Sequence, residues 1–163
     1  MDIVDKITRS RMMAAVKSKN TTLEVEIRRR LFHLGYRYRL HKSDLPSKPD
    51  LVFPKYRAAV FIHGCFWHRH GCSFGQLPKT RSGWWKKKLT DNRKRDIIAL
   101  LKLRQMAWRT IVVWECSLRA SNKDKNVVLD QIAKRVERYL LSNKKEAVIS
   151  GPIKKGAGKE PRG

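Results

Sequence analysis

The feature that most restricts the fold of this chain is the placement of its three cysteines and one histidine. Cys65, His70 and Cys72 lie close together, and Cys116 follows much further along. Four nitrogen and sulfur ligands complete the tetrahedron that zinc prefers, and an odd number of cysteines does not suggest a disulfide framework. We therefore predict a closed, structural Zn²⁺ site that ties the loop at 65–72 to the segment carrying Cys116. The alternative is three unrelated reduced thiols and a surface histidine.

Hydrophobic patterns on either side of these ligands predict an α/β fold with a mixed sheet and packed helices. A capping-box pattern, Thr21 with Glu24, opens a helix that Gly35 ends. The remaining patterns predict strands at 36–40, 50–53, 57–62 and 108–115, and helices at 84–106 and 124–141. Residues after about 142 are rich in Gly, Pro and Lys and lack periodicity, so we predict a disordered basic tail over 143–163.

Candidate catalytic residues lie around the predicted hairpin formed by the strands at 50–53 and 57–62. Antiparallel pairing is expected to bring Asp50, a carboxylate suited to Mg²⁺, beside Ile62 and His63. His63 and His68 are not needed for the zinc site, and imidazole titrates near neutral pH, so both are candidates for general acid or base catalysis. The alternative for an isolated histidine is a surface or capping role, and Pro-Asp by itself often only opens a strand.

Two further carboxylates are weaker candidates on pattern alone. Glu24 already has a sufficient role in the capping box. Asp96, within the predicted helix at 84–106, is expected to form a salt bridge with Arg93 or Arg95. Spacing therefore points to chemistry at neither residue.

The charge of the chain indicates a polyanionic partner. There are 38 Lys and Arg residues against 14 Asp and Glu, a formal charge of +24, and only six of the basic residues fall within 143–163. The folded part therefore carries a basic surface, as in proteins that bind nucleic acid. No apolar run is long enough for a membrane span and the N-terminus lacks a signal-peptide pattern, so we expect a soluble intracellular protein without a membrane partner.

Together, these residues resemble the very short patch repair (Vsr) DNA mismatch endonucleases. The matching strings are DKITRSRMMAAV (5–16), PD (49–50), HGCFWHRHGC (63–72), TRSGWW (80–85), NRKRD (92–96) and WRTIVVWEC (108–116). The resemblance spans nearly the whole predicted folded part. Its most specific element is HGCFWH, followed by a His-x-Cys pair and a later WEC.

The resemblance implies a restriction-endonuclease-like fold, with a mixed central sheet flanked by helices, and a Mg²⁺-dependent cut 5′ to the thymine of a T:G mismatch. Such mismatches arise when 5-methylcytosine deaminates. By position, Asp50 and the backbone carbonyl of Ile62 would bind Mg²⁺, and His68 would activate the attacking water. The residues that would support the site and the scissile phosphate are His63, Asp96 and Glu24. The family's zinc ligands correspond to Cys65, His70, Cys72 and Cys116.

The resemblance also implies a role for aromatic side chains. Phe66, Trp67 and Trp85 match residues that insert into the base stack beside the mismatch. Met13 would enter from the other groove, as part of an N-terminal DNA-contacting arm at 1–20 that precedes an endonuclease domain at 21–142. A T:G pair stacks imperfectly, so inserting rings costs less there than at a matched pair. The alternative, that Trp67 and Trp85 are core residues, is kept as the expectation for Trp84, which has no matching role.

The implied partner is double-stranded DNA with a T:G mismatch. The protein is expected to act as a monomer and to be cytoplasmic, associated with a bacterial-type nucleoid. Accessory mismatch-repair proteins are further candidate partners.

Two features depart from the family pattern. Ile62 stands where the best-known members carry a Thr, and no acidic residue closes the second hairpin strand. The Mg²⁺ site would therefore be poor in carboxylates. Two competing hypotheses are a zinc-stabilised nucleic-acid-binding protein without catalysis and a restriction-type endonuclease acting on matched sites.

Overall fold

A five-stranded mixed sheet lies at the centre of the computed structural model, which describes residue 8 and residues 20–152. The strands are β1 (Arg39–Leu40), β2 (Leu51–Phe53), β3 (Ala58–His63), β4 (Arg109–Trp114) and β5 (Glu146–Ile149). They lie in that order across the sheet. The first three pair antiparallel, whereas β3, β4 and β5 pair parallel. The predicted mixed α/β architecture is confirmed.

The helices within residues 20–152 are α1 (Thr22–His33), α2 (Ser82–Gln105), α3 (Cys116–Arg119) and α4 (Lys125–Leu141). The ends of α1 confirm the predicted capping signals. The Thr21 hydroxyl accepts the Glu24 N–H at 3.3 Å, and Gly35 adopts a left-handed φ of +89°. The Tyr36 N–H then donates to the Leu31 carbonyl, which satisfies one of the last free carbonyls of the helix. Because Tyr36 belongs to this cap, the strand predicted at 36–40 is reduced to Arg39–Leu40.

Alternate residues of β3 face two different layers of the protein. Ala58, Val60 and Ile62 pack with the apolar sides of α1 and α4, whereas Ala59 and Phe61 pack with α2 and the three cysteines. All six residues of β3 are buried, as expected for a central strand covered on both faces. Successive residues at the end of β3 therefore serve different sides of the molecule.

The predicted start of a disordered tail at residue 143 is wrong, because Glu146–Ile149 form β5. This strand pairs parallel with β4, from Thr110 opposite Glu146 to Val113 opposite Ile149. Ile149 is buried in the same layer as α1 and α4. The apolar residues of this strand are few and follow two lysines, so the local composition hides a strand that gains its stability from pairing with β4. Residues 153–163 lie outside the described part of the chain.

Within the residues that the structure describes, no helix is both long and apolar enough to cross a lipid bilayer. The longest of these helices, α2, carries lysines and arginines along its exposed side. This basic helix and the end of β3 form two sides of the site described next.

Candidate active site

The predicted hairpin places Asp50 where the sequence indicated. Leu51 pairs with Val60, so Asp50, which precedes β2, lies next to the last residues of β3. The Ile62 N–H donates to Asp50 Oδ2 at 2.7 Å. Burial raises the pKa of Asp50 to about 6, against the lowering effect of the Ile62 hydrogen bond, and the nearby Glu24 carboxylate raises it further. Asp50 is therefore ionised at pH 7.5, but at a cost that a bound cation would reduce.

Two histidine rings and a carboxylate form a contiguous group beside Asp50. His63, the last residue of β3, stacks on His68 with ring centroids 3.8 Å apart and planes 2° from parallel. His68 Nδ1 lies 2.6 Å from Asp96 Oδ2 on α2. Because a carboxylate accepts hydrogen bonds, this contact puts a proton on Nδ1 and leaves Nε2 of a neutral His68 with its lone pair. Burial, reinforced by the His68 charge, holds the pKa of His63 well below its usual value. His63 is therefore neutral at physiological pH.

Asp96 does not make the expected salt bridge with Arg93 or Arg95. The Arg93 guanidinium donates to the backbone carbonyl of Arg69, and Arg95 donates to Asn92. Asp96 faces the loop after β3 instead, and each member of the group His63, His68 and Asp96 offers a ligand atom within 4.8 Å of the other two. The group can act as an oriented imidazole or hold a metal ion.

Glu24 reaches the same region from the start of α1. It is 3% exposed, and its two oxygens accept hydrogen bonds from the Asn20 N–H and the Thr21 hydroxyl, each at 2.9 Å. Arg28 donates to the Asn20 side chain at 2.7 Å and completes this buried polar cluster. The Thr21 half of the predicted capping box is confirmed, whereas the Glu24 carboxylate accepts from the Asn20 N–H and the Thr21 hydroxyl instead of the Thr21 N–H. Glu24 also lines the cleft.

One cleft of about 980 Å³ brings the predicted catalytic residues together. Its lining includes all five: Glu24, Asp50, His63, His68 and Asp96. Ile62, Trp67, Lys88 and Asn92 also contribute to the wall. The cleft therefore contains carboxylates, imidazoles, a basic side chain and an aromatic ring within one concave surface.

The four predicted zinc ligands meet behind this cleft. The ligand atoms of Cys65, His70, Cys72 and Cys116 all lie within 4.8 Å of one another, and all four residues are buried. Ligands about 2.3 Å from a tetrahedral ion are separated by about 3.8 Å, so the cluster is close to the required size. Burial raises the pKa of the Cys65 and Cys116 thiols, and a cation would offset that cost by stabilising the thiolates. The cluster could bind a metal ion.

Backbone contacts support the cysteine cluster. The Cys116 N–H donates to Cys65 Sγ and the Gly151 N–H donates to Cys116 Sγ, each at 3.3 Å. Gly75 permits the loop to close, because a Cβ at this position would lie 1.9 Å from the His70 carbonyl oxygen. The loop is also fastened to α2, where the Asn92 amide donates to the Trp67 carbonyl at 3.1 Å. The histidine, cysteine and aromatic side chains of one loop are thus held in fixed relative positions.

The aromatic residues predicted to enter DNA form a cluster at the cleft. The ring centroid of Phe66 lies 5.1 Å from those of Trp67 and Trp85. Trp84 is 56% exposed, so its predicted place in the core is wrong. It packs edge-on against Trp85, and Lys88 Nζ lies 4.8 Å above its ring. Met13 lies outside the described residues.

His41 and Glu115 line the cleft but were not predicted from the sequence. His41 Nδ1 lies 4.0 Å from Asp50 Oδ1 across the loop between β1 and β2. The Glu115 N–H donates to the His63 carbonyl, and its carboxylate accepts from Arg119 at 2.9 Å. No local spacing identifies His41. Glu115 precedes the cysteine at the end of β4, so its closeness to the cleft follows only once the parallel pairing of β3 with β4 is known.

Comparisons with known proteins identify the family of this chain. The family model for DNA mismatch endonuclease Vsr matches residues 1–74. DNA mismatch endonuclease Vsr of Escherichia coli is 34% identical over 148 residues, covering 91% of this chain and 93% of the relative. The Type II nicking enzyme V.XorIIP of Xanthomonas oryzae is 50% identical over 107 residues, covering 66% of this chain and 79% of the relative.

A third relative is also named as a nicking enzyme. Type II nicking enzyme V.NmeAIP of Neisseria meningitidis is 43% identical over 118 residues, covering 72% of this chain and 84% of the relative. An identity of 34% across almost the full length of both proteins is sufficient to establish the family. The chain therefore belongs to the Vsr family of DNA mismatch endonucleases and is a DNA endonuclease.

Proposed function

We propose that this endonuclease nicks one strand of double-stranded DNA 5′ to the thymine of a T:G mismatch produced by deamination of 5-methylcytosine, and so initiates very short patch repair. One observation carries the proposal: Asp50 and the oriented pair His68 and Asp96 line the same cleft as Trp67 of the aromatic cluster. The candidate cleavage residues therefore lie next to an aromatic side chain that can probe base stacking. The names of three relatives, two of them nicking enzymes, are consistent with a single-strand cut.

Asp50 and Ile62 would hold the catalytic Mg²⁺. Asp50 Oδ2 is engaged by the Ile62 N–H, so Oδ1 is the oxygen left for a cation. The His63 carbonyl accepts from Glu115 on the β4 side, and alternate residues of a strand direct their polar groups to opposite neighbours, so the Ile62 carbonyl faces the Asp50 side. This supports the implied ligand role of the carbonyl, which the change from Thr to Ile leaves intact. When bound, Mg²⁺ neutralises charge on the scissile phosphate and orients it.

His68 would take the proton from the attacking water. Asp96 holds Nδ1–H and so leaves Nε2 to act as the base, which is the arrangement that general base catalysis requires. The neutral His63 ring stacks on His68 and restricts its rotation, and it adds no positive charge that would oppose proton uptake by His68. Water would then attack phosphorus in line with the leaving 3′ oxygen. Glu24, with both oxygens engaged, would support the cleft by fixing the start of α1 rather than by direct proton transfer.

The aromatic cluster of Phe66, Trp67 and Trp85 would enter the base stack beside the mismatch, with Met13 of the arm entering from the other groove. The three rings are partly exposed and in mutual contact, so they can be presented to DNA as one rigid body. A rigid wedge selects the site that unstacks at least cost, and T:G unstacks more readily than a matched pair. The hydrogen bond from the Asn92 amide to the Trp67 carbonyl supports this rigidity, because it fastens the loop to α2.

The buried cluster of Cys65, His70, Cys72 and Cys116 would bind a structural Zn²⁺. Three thiols and one imidazole form a ligand set typical of closed zinc sites, which leave no position for substrate. The ion would fix the loop that carries His68 and two of the wedge residues. Zn²⁺ and Mg²⁺ therefore have separate roles in this proposal.

We further propose a restriction-endonuclease-like arrangement, with an arm at 1–20, an endonuclease domain from residue 21 that now includes β5, and a basic tail beyond the described residues. The protein would act as a monomer on DNA in the cytoplasm. A mixed sheet with the cleft at the end of its central strands supports this assignment of the fold. The basic surface supports direct binding of duplex DNA.

The test uses two otherwise identical duplexes that carry T:G or C:G at one position, incubated with the full chain and Mg²⁺. Nicking of the T:G duplex alone is the expected result. Cutting of both duplexes would favour a restriction-type enzyme acting on matched sites, and binding without cutting would favour a non-catalytic DNA-binding protein. Asp50→Ala and His68→Ala should abolish nicking and retain T:G binding, whereas full activity of Asp50→Ala would refute the proposed metal site.

A further inference from the structure

The cleft contains few ligand atoms that remain available to a cation near Asp50. Glu24 is engaged by Asn20 and Thr21, and Asp96 by His68. The two other carboxylates of the lining are also engaged, Glu26 by Arg30 and Glu115 by Arg119. Besides the proposed Ile62 carbonyl, a further side-chain ligand for a cation at Asp50 is therefore sought among the histidines of the lining.

His41 is placed to supply this ligand. Its Nδ1 lies 4.0 Å from Oδ1 of Asp50, the oxygen that the Ile62 N–H leaves free. Two ligands about 2.1 Å from one octahedral ion are about 3.0 Å apart when adjacent and about 4.2 Å apart when opposite. The observed separation falls within this range, so an ion can contact both atoms after a small side-chain rotation.

The conformation of His41 is not explained by hydrogen bonds within the described chain. Its backbone has a left-handed φ of +44°, a region that is uncommon for residues other than Gly but in which Asn, Asp and His are enriched. Its buried Nε2 finds no hydrogen-bond partner among the residues that the structure describes. The Nδ1 to Asp50 distance also exceeds hydrogen-bond length. Because a neutral imidazole has one protonated and one unprotonated nitrogen, Nδ1 can offer its lone pair to a cation while Nε2 carries the proton.

We propose that His41 is a ligand of the catalytic cation, through Nδ1, beside Asp50 Oδ1 and the Ile62 carbonyl. This inference rests on the cation site proposed above at Asp50. Mg²⁺ prefers oxygen ligands, whereas Mn²⁺ lies in the transition series, for which imidazole is a suitable ligand. His41 therefore makes the site bind Mn²⁺ in preference to Mg²⁺, and it compensates for the missing second carboxylate at the end of β3.

The experiment measures Mn²⁺ binding to the full-length, zinc-loaded protein. Loss of the free Mn²⁺ electron paramagnetic resonance signal gives the affinity, and Mg²⁺ competition gives the ratio of the two affinities. Spin-echo modulation from a directly bound ¹⁴N reports whether an imidazole contacts the ion. His41→Asn is the main variant, because Asn tolerates the left-handed backbone and removes the imidazole. His41→Gly is the second, because it keeps the backbone free and opens space for added imidazole.

We expect His41→Asn to weaken Mn²⁺ binding about tenfold, to weaken Mg²⁺ binding much less, and to remove the ¹⁴N modulation. Millimolar imidazole should restore the modulation in His41→Gly, which a purely structural role would not produce. His33→Gln provides the matched control, since His33 is an exposed histidine on α1 whose Nδ1 contacts its own helix at the Arg29 carbonyl. It should bind both cations as the unmodified protein does.

Two further variants separate the possible failures. If Asp50→Asn abolishes Mn²⁺ binding while His41→Asn changes neither affinity nor modulation, His41 is not a ligand and the Asp50 site stands. If the ¹⁴N modulation survives in His41→Asn and disappears in His68→Ala, the nitrogen belongs to the group of His63, His68 and Asp96, and this inference is wrong. If Asp50→Asn leaves Mn²⁺ binding unchanged, the cation site proposed at Asp50 and the role of His41 fail together.

Discussion

The contact between His68 and Asp96 decides the roles of both residues. In the sequence Asp96 follows two arginines within four positions, so a salt bridge on the helix surface is the natural expectation. In the fold, α2 presents Asp96 to the loop after β3, while Arg93 and Arg95 contact other groups. A neighbour distant in the sequence has replaced the local one, and no helical periodicity contains that information.

Asp96→Asn should lower the nicking rate by about 10²- to 10⁴-fold, because the amide no longer selects the tautomer that leaves Nε2 basic. Mismatch binding should change little, since the wedge residues are untouched. Single-turnover nicking and gel-shift binding on the T:G duplex measure the two effects. Asp91→Asn is the control, because Asp91 lies on the same helix and its carboxylate contacts the exposed Lys87 side chain at 3.6 Å. Equal loss in both variants would argue against an orienting role.

Tyr139 gives a prediction about stability in alkali. Burial raises its pKa to about 12, although Arg109 opposes the shift. The unfolded chain loses the phenolic proton near pH 10 while the folded chain retains it, so this contribution to stability is lost as pH rises from about 10. In Tyr139→Phe the unfolding free energy should depend less on pH between 10 and 11, by at most about 1.4 kcal/mol per pH unit. Urea titrations at several pH values test this; parallel curves for both proteins would contradict it.

At the scale of elements, the structure links β5 to the cysteine cluster. β5 pairs with β4, which ends at Trp114, and the chain after β5 returns Gly151 to Cys116. A Cβ at Gly151 would lie 2.5 Å from the Cys116 carbonyl oxygen, so only glycine permits the approach. The C-terminal strand is therefore part of the support of the loop that carries the cysteine cluster.

Gly151→Ala should release metal faster to a chelator and lower the unfolding free energy by about 1–3 kcal/mol, because the added methyl group displaces the backbone that donates to Cys116 Sγ. Cys72→Ser, which removes a ligand, should have a larger effect in the same assays. Gly83→Ala is the control, since nothing lies within 4 Å of its added Cβ. Unaltered metal release in Gly151→Ala would show that this hydrogen bond does not support the site, and a wild-type protein without zinc would contradict the zinc assignment itself.

Elements with local signals were predicted correctly, whereas those stabilised by distant contacts were not. Thr21 and Gly35 predict the ends of α1 because of their capping and backbone preferences. The presence of three cysteines and one histidine, four ligands in all, predicted the cysteine cluster. β5 was missed because its short apolar segment is stable only beside β4. The exposure of Trp84 was missed because the sequence does not distinguish a tryptophan in an exposed cluster with Trp85 and Lys88 from a tryptophan in the core. His41 comes close to Asp50 through a left-handed backbone conformation in a loop, and no hydrophobic periodicity in the sequence indicates it.

For the whole molecule, the positive charge of the chain and the aromatic cluster proposed as a wedge should contribute separately to DNA binding. The formal charge of +24 implies that affinity for any duplex falls steeply with salt, with a logarithmic slope of about −0.9 per neutralised phosphate. The ratio of T:G to C:G affinity should change little with salt, because unstacking involves no counterions. Trp67→Ala should reduce this ratio and leave the slope unchanged, as measured by fluorescence anisotropy between 50 and 200 mM salt.

Phe32→Ala provides the comparison, because Phe32 is an exposed aromatic residue on α1 that contacts Arg37 rather than the aromatic cluster. It should alter neither the ratio nor the slope. A ratio that disappears at 200 mM salt in the unmodified protein would mean that discrimination depends on ionic contacts instead of ring insertion.

The alternation of β3 has a consequence for how this protein can vary in length. Ile62 packs against α1 and α4, and the next residue, His63, stacks on His68 in the opposite layer. One amino acid inserted within β3 would move His63 to the wrong side of the sheet and bury an unpaired imidazole among leucines. Insertions and deletions in β3 should therefore be lethal to activity even when the hydrophobic character of the strand is preserved.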